Sequence, residues 1–390
     1  MLAIGVGLNL FVAMLTVFSA YGGMFDPEER VIAAMAAMVL PLLLIAGGLL
    51  FIINLFFDRR LILILIAGWA ISAPSIRVFA PLNGWKPTLT AEQRKHSFTF
   101  MTYNVLHFWD YRGENHPGVT QNATLDYILD TDPDIVSIQE YDVLDTKGPW
   151  KIMQAQIDSL YARYPHRYES LYPSYALYSK YPFQPIDIGL KQFGQIPAMG
   201  FRLDIQGHEV HLLNLHLKSI GLTDEDKELY KEALAVPQTK GELKREIKEV
   251  KSQLLSKLAE AFKIRAQQAH AIRHIIDSIG GPFIVAGDFN DIPDCYAVRT
   301  IRGKDMHDAY ADAAFGPTIT YHADRFYFRI DQVLYRGPFK AIDTERGDID
   351  SSDHNPLITT FLFDKGVIPA PKRYDMPTAE PTDSTTNHIP

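Results

Sequence analysis

From Met1 to Phe25 no residue carries a charge. Val31 to Phe57 is a second uncharged run, interrupted only by Pro41 and Asn54. Each exceeds the roughly 20 residues with which a helix crosses about 30 Å of hydrocarbon. Leu61 to Ile76 is a third apolar run, extendable through Val78, Phe79 and Ala80 if Arg77 snorkels to the interface. Residues 1–80 therefore read as a multi-pass anchor in the lipid bilayer, with about three transmembrane helices. A cleaved signal peptide is the alternative for the first run, but its apolar stretch is long and no basic segment precedes it. The Asp58-Arg59-Arg60 turn suits the cytoplasmic side, whereas Asp26, Glu28 and Glu29 make the first loop acidic. Arg30, Arg77, Lys86, Arg94 and Lys95 weigh the other way, although the last three precede a large domain whose translocation depends little on charge. The expectation is an integral membrane protein whose C-terminal domain is extracytoplasmic.

The remainder has a different character. Over all 390 residues, 47% are hydrophobic and 22% charged, an average that hides an apolar front and a polar rest. With Cys295 as the one cysteine, an internal disulfide framework and a cysteine-rich zinc site are excluded. The net charge is −8, and the acidic excess lies beyond residue 95. Tight nucleic-acid binders usually present a basic surface that neutralises phosphates, so nucleic acid is a possible but not the favoured partner.

Pro81 to Thr90 holds two prolines, a glycine and small polar residues, and with the following residues to 95 reads as a linker. Gly84-Trp85-Lys86 puts an aromatic where the chain leaves the bilayer. A globular domain is expected over 96–364. Aromatic and β-branched runs predict strands at Ser97–Val105, Ile135–Gln139, Val210–Leu217, Phe283–Ala286, Ile330–Tyr335 and Leu357–Phe363. A helical pattern at Thr120–Leu129 lies between two of them, an alternation of the α/β kind. Within a helical insertion at about 223–279, Ile247, Val250, Leu254, Leu258, Ala261, Phe262 and Arg265 recur at steps of three and four. Its polar face mixes Lys with Glu, so the apolar stripe is expected to pack on a sheet rather than on a membrane surface. Residues 365–390 are rich in Pro, Thr and Ser and read as disordered.

Chemistry-bearing residues stand at the ends of the predicted strands. Asn104 closes Thr-Tyr-Asn-Val, Glu140 closes Val-Ser-Ile-Gln-Glu, and His216 lies in Leu-Asn-Leu-His-Leu. Asp288 and Asn290 sit in Val-Ala-Gly-Asp-Phe-Asn, Asp331 in Arg-Ile-Asp-Gln-Val-Leu-Tyr, and Asp353 with His354 in Ser-Ser-Asp-His-Asn-Pro. Singly, each would be a cap or a satisfied surface group; together, strand ends on one sheet edge are where an α/β enzyme gathers distant residues. Phosphate ester hydrolysis needs a hard cation, a positioned water and donors for growing negative charge. Carboxylate and amide oxygens suit Mg²⁺, with Mn²⁺ as a substitute, and Glu140 is the plainest ligand. Histidines beside carboxylates supply a cation or a base.

At these residues the chain resembles the endonuclease/exonuclease/phosphatase superfamily of deoxyribonuclease-like metal phosphoesterases, over about His96 to Asp364. The resemblance implies a four-layer α/β sandwich, two central β-sheets flanked by helices, with the site at one sheet edge. It implies that Glu140 binds the metal with help from Asn104, that Asp288 and Asn290 orient or activate water, and that His216 and His354 contact the scissile phosphate together with Asn290. Asp331 would hold the His354 tautomer, and Asp353 would complete the metal side. In-line attack by water, with no covalent enzyme intermediate, follows. Tyr178-Ser179-Lys180-Tyr181-Pro182, and Arg265 with Gln268, match the family as well, though structural roles serve equally. His107, Asp110 and His116 follow Asn104 and are read as surface groups bordering a cleft at most.

The same residues serve a nuclease and a hydrolase of lipid-linked or other small phosphate esters. Proximity to lipid head groups and the acidic charge favour the latter. A membrane receptor or scaffold that only binds a phosphorylated ligand is the reading from another class.

Overall fold

A computed structural model of the chain describes residues 2–84, 87–112, 121–148, 151–189, 197–221, 241–323 and 327–364, with residues 241–252 described by backbone alone. Trp85, Lys86, His116, the 222–240 part of the helical insertion and the tail 365–390 thus lie outside the described residues. The strands are β1 (Ser97–Asn104), β2 (Ile135–Gln139), β3 (His166–Leu171), β4 (Ser174–Ser179), β5 (Phe183–Ile186) and β6 (Ala198–Ile205). They continue with β7 (His208–His216), β8 (Phe283–Asp288), β9 (His307–Asp308), β10 (Asp331–Arg336), β11 (Phe339–Arg346) and β12 (Leu357–Phe363). They form two six-stranded sheets, in the orders β11-β12-β1-β2-β4-β3 and β5-β6-β7-β8-β10-β9.

Side chains alternate across a strand, so each sheet offers two faces. Phe98, Phe100 and Leu177 of the first sheet meet Phe201, Leu212, Ile284 and Val333 of the second in a core between the sheets. The intervening positions face outward. Met101, Tyr103, Val136 and Ile138 pack under Leu125, Ile128 and Leu160 from helices Ala123–Thr131 and Gln154–Arg163. Leu213, Leu215 and Val285 pack under Ala269, Ile272 and Ile276 of the long helix Gly241–Ile279. The result is a four-layer α/β sandwich. Strands β2 and β12 occupy the residues their sequence predicts, and β1, β7, β8 and β10 lie within two residues of the predicted ends. Strands β3 to β6, β9 and β11 were not among the predicted runs. β3 is half exposed along most of its length and β9 is two residues long, so neither has an apolar run to read.

The N-terminal helices are α1 (Leu2–Ala20), α2 (Pro27–Met35), α3 (Leu40–Phe57) and α4 (Ile62–Phe79). By length and composition, three helical stretches could cross a membrane: Leu2–Met24, Pro27–Phe57 and Arg59–Phe79. Their polarity is inverted relative to the sandwich. Asn9, Thr16, Asn54 and Ser72 are buried, while Leu42, Ile45, Phe56 and Phe57 point outward, the last two 82% and 85% exposed. Asn54 Nδ2 donates to Asn9 Oδ1 at 2.8 Å, a polar clasp between apolar helices.

The uncharged run Val31–Phe57 is not one straight span. Leu40–Phe57 alone covers about 27 Å at 1.5 Å per residue. Ahead of it, Ala34 and Ala37 pack with Met35 and Met38 against Phe262, Ile292 and Ile330 of the sandwich. The stripe expected to pack on the sheet does not do so at Leu258 and Phe262, which face the N-terminal helices; Ala269, Ile272 and Ile276, further along the same helix, cover the sheet instead, and the side chains of Ile247 and Val250 lie outside the described residues. Polar contacts fasten the same junction. Ser75 Oγ lies 2.6 Å from both the Ala20 carbonyl and Asp294 Oδ2, and Asp294 also accepts from Arg299 Nη1 at 2.7 Å. Gly23 is needed here, since a Cβ would come within 1.9 Å of the Asp294 carbonyl oxygen. In the linker, Asn83 Nδ2 donates to the carbonyls of Ala311 and Ala314, so its first residues are docked on the sandwich.

Arg329 is buried beside Asp308, with Nη2 donating to Asp308 Oδ2 at 3.1 Å and to the Val78 carbonyl at 3.0 Å. Removing one partner of a buried pair leaves the other charge without compensation. Asp308→Ala is expected to cost about 3–5 kcal/mol, read as a lower denaturant midpoint of the full chain. An unchanged midpoint would mean the pair carries no net weight.

Candidate active site

The inter-sheet core changes chemistry along each strand. On β1 the inward positions run Phe98, Phe100, Thr102, Asn104; on β7 they run Leu212, Asn214, His216; on β8, Ile284, Ala286, Asp288. A polar layer thus replaces the apolar one near one edge. Gln139 Nε2 donates to Asn214 Oδ1 at 2.6 Å and to Thr102 Oγ1 at 3.1 Å, joining the two sheets beneath the site. Buried amides bonded in this way fix the positions of the residues above them.

Register sets the next layer. β7 and β8 are parallel with His216 opposite Asp288, and β10 is antiparallel to β8 with Asp331 opposite Asp288. His216, Asp288 and Asp331 therefore stand in one row. Gly287 makes the row possible, because its φ of +140° and the Leu215 carbonyl leave no room for a Cβ. In the other sheet Asn104 ends β1 opposite Gln139, and Glu140 follows with φ +51°, a left-handed turn that ends the strand beneath it. Asn104 Nδ2 bridges the sheets, donating to Glu140 Oε1 at 3.1 Å and Asp288 Oδ2 at 3.2 Å. Asn290, at φ +49°, donates its backbone N–H to Asp288 Oδ1 at 2.7 Å and its Nδ2 to Asp288 Oδ2 at 3.2 Å.

His354 comes from the loop ahead of β12, where Ser352 Oγ donates to the Asn104 carbonyl at 2.8 Å and accepts from the His354 N–H at 3.2 Å. The imidazole Nδ1 lies 2.8 Å from Asp331 Oδ2, and Nε2 lies 3.6 Å from Asp288 Oδ2. Burial alone would push this imidazole down, but Asp331 and Asp288 together outweigh it and lift the pKa to about 10. Burial pushes the Asp288 carboxyl up to about 6, against the pull of His354 and His216. It likewise raises Asp353, which His354 opposes and Glu140 reinforces. All eight residues singled out from the sequence border one region.

Two groups of donors could hold a cation. Glu140 is partly exposed, and His107 Nε2 and His216 Nε2 stand 3.7 Å from its oxygens, beyond hydrogen-bonding distance. Its carboxylate keeps lone pairs for a hard ion, with Asn104 beside it. Asp288, Asp331 and His354 also place one ligand atom each within 4.8 Å of one another. In that trio, however, Asp331 Oδ2 is engaged with His354, and an imidazolium between two carboxylates has no lone pair to offer. The donor set around Glu140 fits a divalent cation better.

His107, read from the sequence as a surface group, lies beside Glu140, at φ +55°. Its strand-to-loop position after Asn104 was the available signal. Asp110 instead pairs with Arg112 at 2.8 Å. Arg265 and Gln268 clamp the chain just after His216: Arg265 Nη1 donates to the Lys218 carbonyl at 3.1 Å and Gln268 Oε1 accepts from the Lys218 N–H at 3.0 Å. Arg265 also pairs with Asp291 at 3.2 Å, so both act by positioning. Lys180 pairs with Asp132 and Asp134, and Ser179 Oγ accepts from the Tyr181 N–H, which makes that segment a structural turn.

Residues 101–354 match the Endonuclease/Exonuclease/phosphatase family, and residues 2–79 match a domain of unknown function. Curated proteins gave no match. Among solved structures, an endonuclease/exonuclease/phosphatase from Beutenbergia cavernae is 19% identical, with 69% of this chain and 72% of that one covered, at a TM-score of 0.44. One from Bacteroides vulgatus is 18% identical, with 69% and 99% covered and a TM-score of 0.43. A truncated TDP2 from Caenorhabditis elegans is 19% identical, with 69% and 98% covered and a TM-score of 0.42.

Proposed function

The chain belongs to the endonuclease/exonuclease/phosphatase family of hydrolytic phosphoesterases and nucleases, and from that premise we propose that it is a membrane-tethered, divalent-metal-dependent phosphoesterase. The carrying observation is the row His216, Asp288, Asp331 and His354 facing Glu140 across the sheet edge. Glu140, Asn104 and Asp353 would hold Mg²⁺, or Mn²⁺ in its place. When bound, the ion supplies positive charge to a phosphoryl oxygen. Asp288, with its pKa raised towards neutrality, takes a proton from the attacking water, and Asn290 orients that water. The water oxygen bonds to phosphorus as the ester P–O bond breaks. His354, kept cationic by Asp331, and His216 donate to the phosphoryl oxygens as negative charge grows.

Residues 1–80 act in this reading as the bilayer anchor, supported by their outward-facing apolar side chains. Residues 96–364 are the catalytic unit. The sandwich docks at the bundle end that carries Gly23 and Ser75, away from Asp58-Arg59-Arg60, so basic residues inside leave it extracytoplasmic. Protease added to intact cells should then remove the domain; protection would reverse the orientation.

Purified full-length protein should hydrolyse bis(p-nitrophenyl) phosphate with Mg²⁺ and lose at least ~100-fold of that rate in EDTA, restored by Mg²⁺ or Mn²⁺. Activity that persists in EDTA would exclude metal dependence. Preferential cleavage of DNA over small and lipid phosphodiesters would make it a nuclease.

A further inference from the structure

A cleft of about 380 Å³ opens at the site, and its two ends differ. One is walled by Glu140, His216, Asp288, Asn290 and His354. The other is walled by Met38, Leu254, Leu258, Ile292, Phe328 and Ile330. Met38 belongs to the turn between α2 and α3, so the N-terminal helices build part of a wall whose polar end is the hydrolytic site. Four residues on, α3 begins its outward apolar face with Leu42 and Ile45. The segment that supplies Met38 to the apolar wall thus leads, within about one helical turn, to side chains that face outward.

We infer that this cleft takes a membrane lipid phosphodiester, with the phosphate at the Asp288–His354 end and an apolar chain along the wall shared by Met38 and the long helix. The inference rests on the phosphoesterase reading above and names its substrate class. A nucleotide or sugar phosphate would leave the apolar wall in water, whereas a hydrocarbon chain removes it from water. Charge points the same way. Among the described residues lining the cleft, Arg265 is the sole Lys or Arg, and its guanidinium is already engaged by Asp291 and the Lys218 carbonyl. Among the described residues, a polyanionic backbone or a polyphosphate would find no free Lys or Arg there.

The test uses full-length protein in detergent with Mg²⁺ and a homologous series of alkyl p-nitrophenyl phosphodiesters, methyl, butyl and octyl, kept below their aggregation thresholds. The leaving group is constant, so only the chain varies. kcat/KM should rise along the series, by roughly tenfold or more from methyl to octyl, because each added methylene is buried against the wall. Leu258→Asn and, separately, Phe328→Asn should bring the octyl-to-methyl ratio towards unity. A flat series in the wild type overturns the lipid inference and leaves the phosphoesterase reading standing. Failure to hydrolyse any member overturns that reading and the inference with it.

Discussion

Asp288→Asn is expected to lower kcat for a small phosphodiester by roughly 10³-fold while leaving the fold at least as stable as before. The substitution keeps shape and volume and removes only the carboxylate. Asp288 sits at the centre of the site, within reach of Asn104 Nδ2, Asn290 N and Nδ2, His216 Nε2 and His354 Nε2. Its charge is what those donors converge upon. Burial makes that charge costly, as the upward shift to about 6 records, so a neutral amide relieves the folded state as it disables proton transfer. Activity and thermal melting measured on the same sample separate the two effects. A variant within tenfold of wild type would remove Asp288 from the chemistry, and a collapse of melting would make it a structural residue.

Gly287→Ala should act through the backbone instead. The new Cβ would lie 2.0 Å from the Leu215 carbonyl oxygen, and the φ of +140° suits no L side chain. Strands β7 and β8 would have to part between the positions that carry His216 and Asp288. A loss of about 3 kcal/mol or more is expected, because neither the clash nor the strain can relax inside a six-stranded sheet. Denaturant unfolding measures it, and activity should fall with it. A variant as stable as the parent would show that the close approach of these strands is not required.

Much of this candidate site was legible because its residues sit at strand ends, where a short apolar run stops at a polar residue. Asn104, Glu140, His216 and Asp288 each mark such a stop, and the register of four strands then brings them together. His107 is exposed, in keeping with its reading as a surface group at the border of a cleft, but a left-handed turn at Leu106–Phe108 brings it beside Glu140, and no side-chain pattern announces such a turn. Arg265 has the opposite history. It lies on the apolar stripe of a helix with mixed charges, yet it is buried and holds the chain behind His216.

By itself the sequence determined the two halves of the protein, because uncharged runs and alternating strands are local patterns set by the period of helix and sheet. It also singled out the eight residues that the fold gathers at one sheet edge. Only the tertiary structure decided that the halves share a wall. The N-terminal run from Val31 does not read differently where its side chains face outward and where it docks on the sandwich, since apolar side chains suit lipid and protein core alike. Gly23 against Asp294, Ser75 against Asp294, and Ala34 and Ala37 against Phe262 fix the docked part, and these contacts pair residues more than two hundred positions apart.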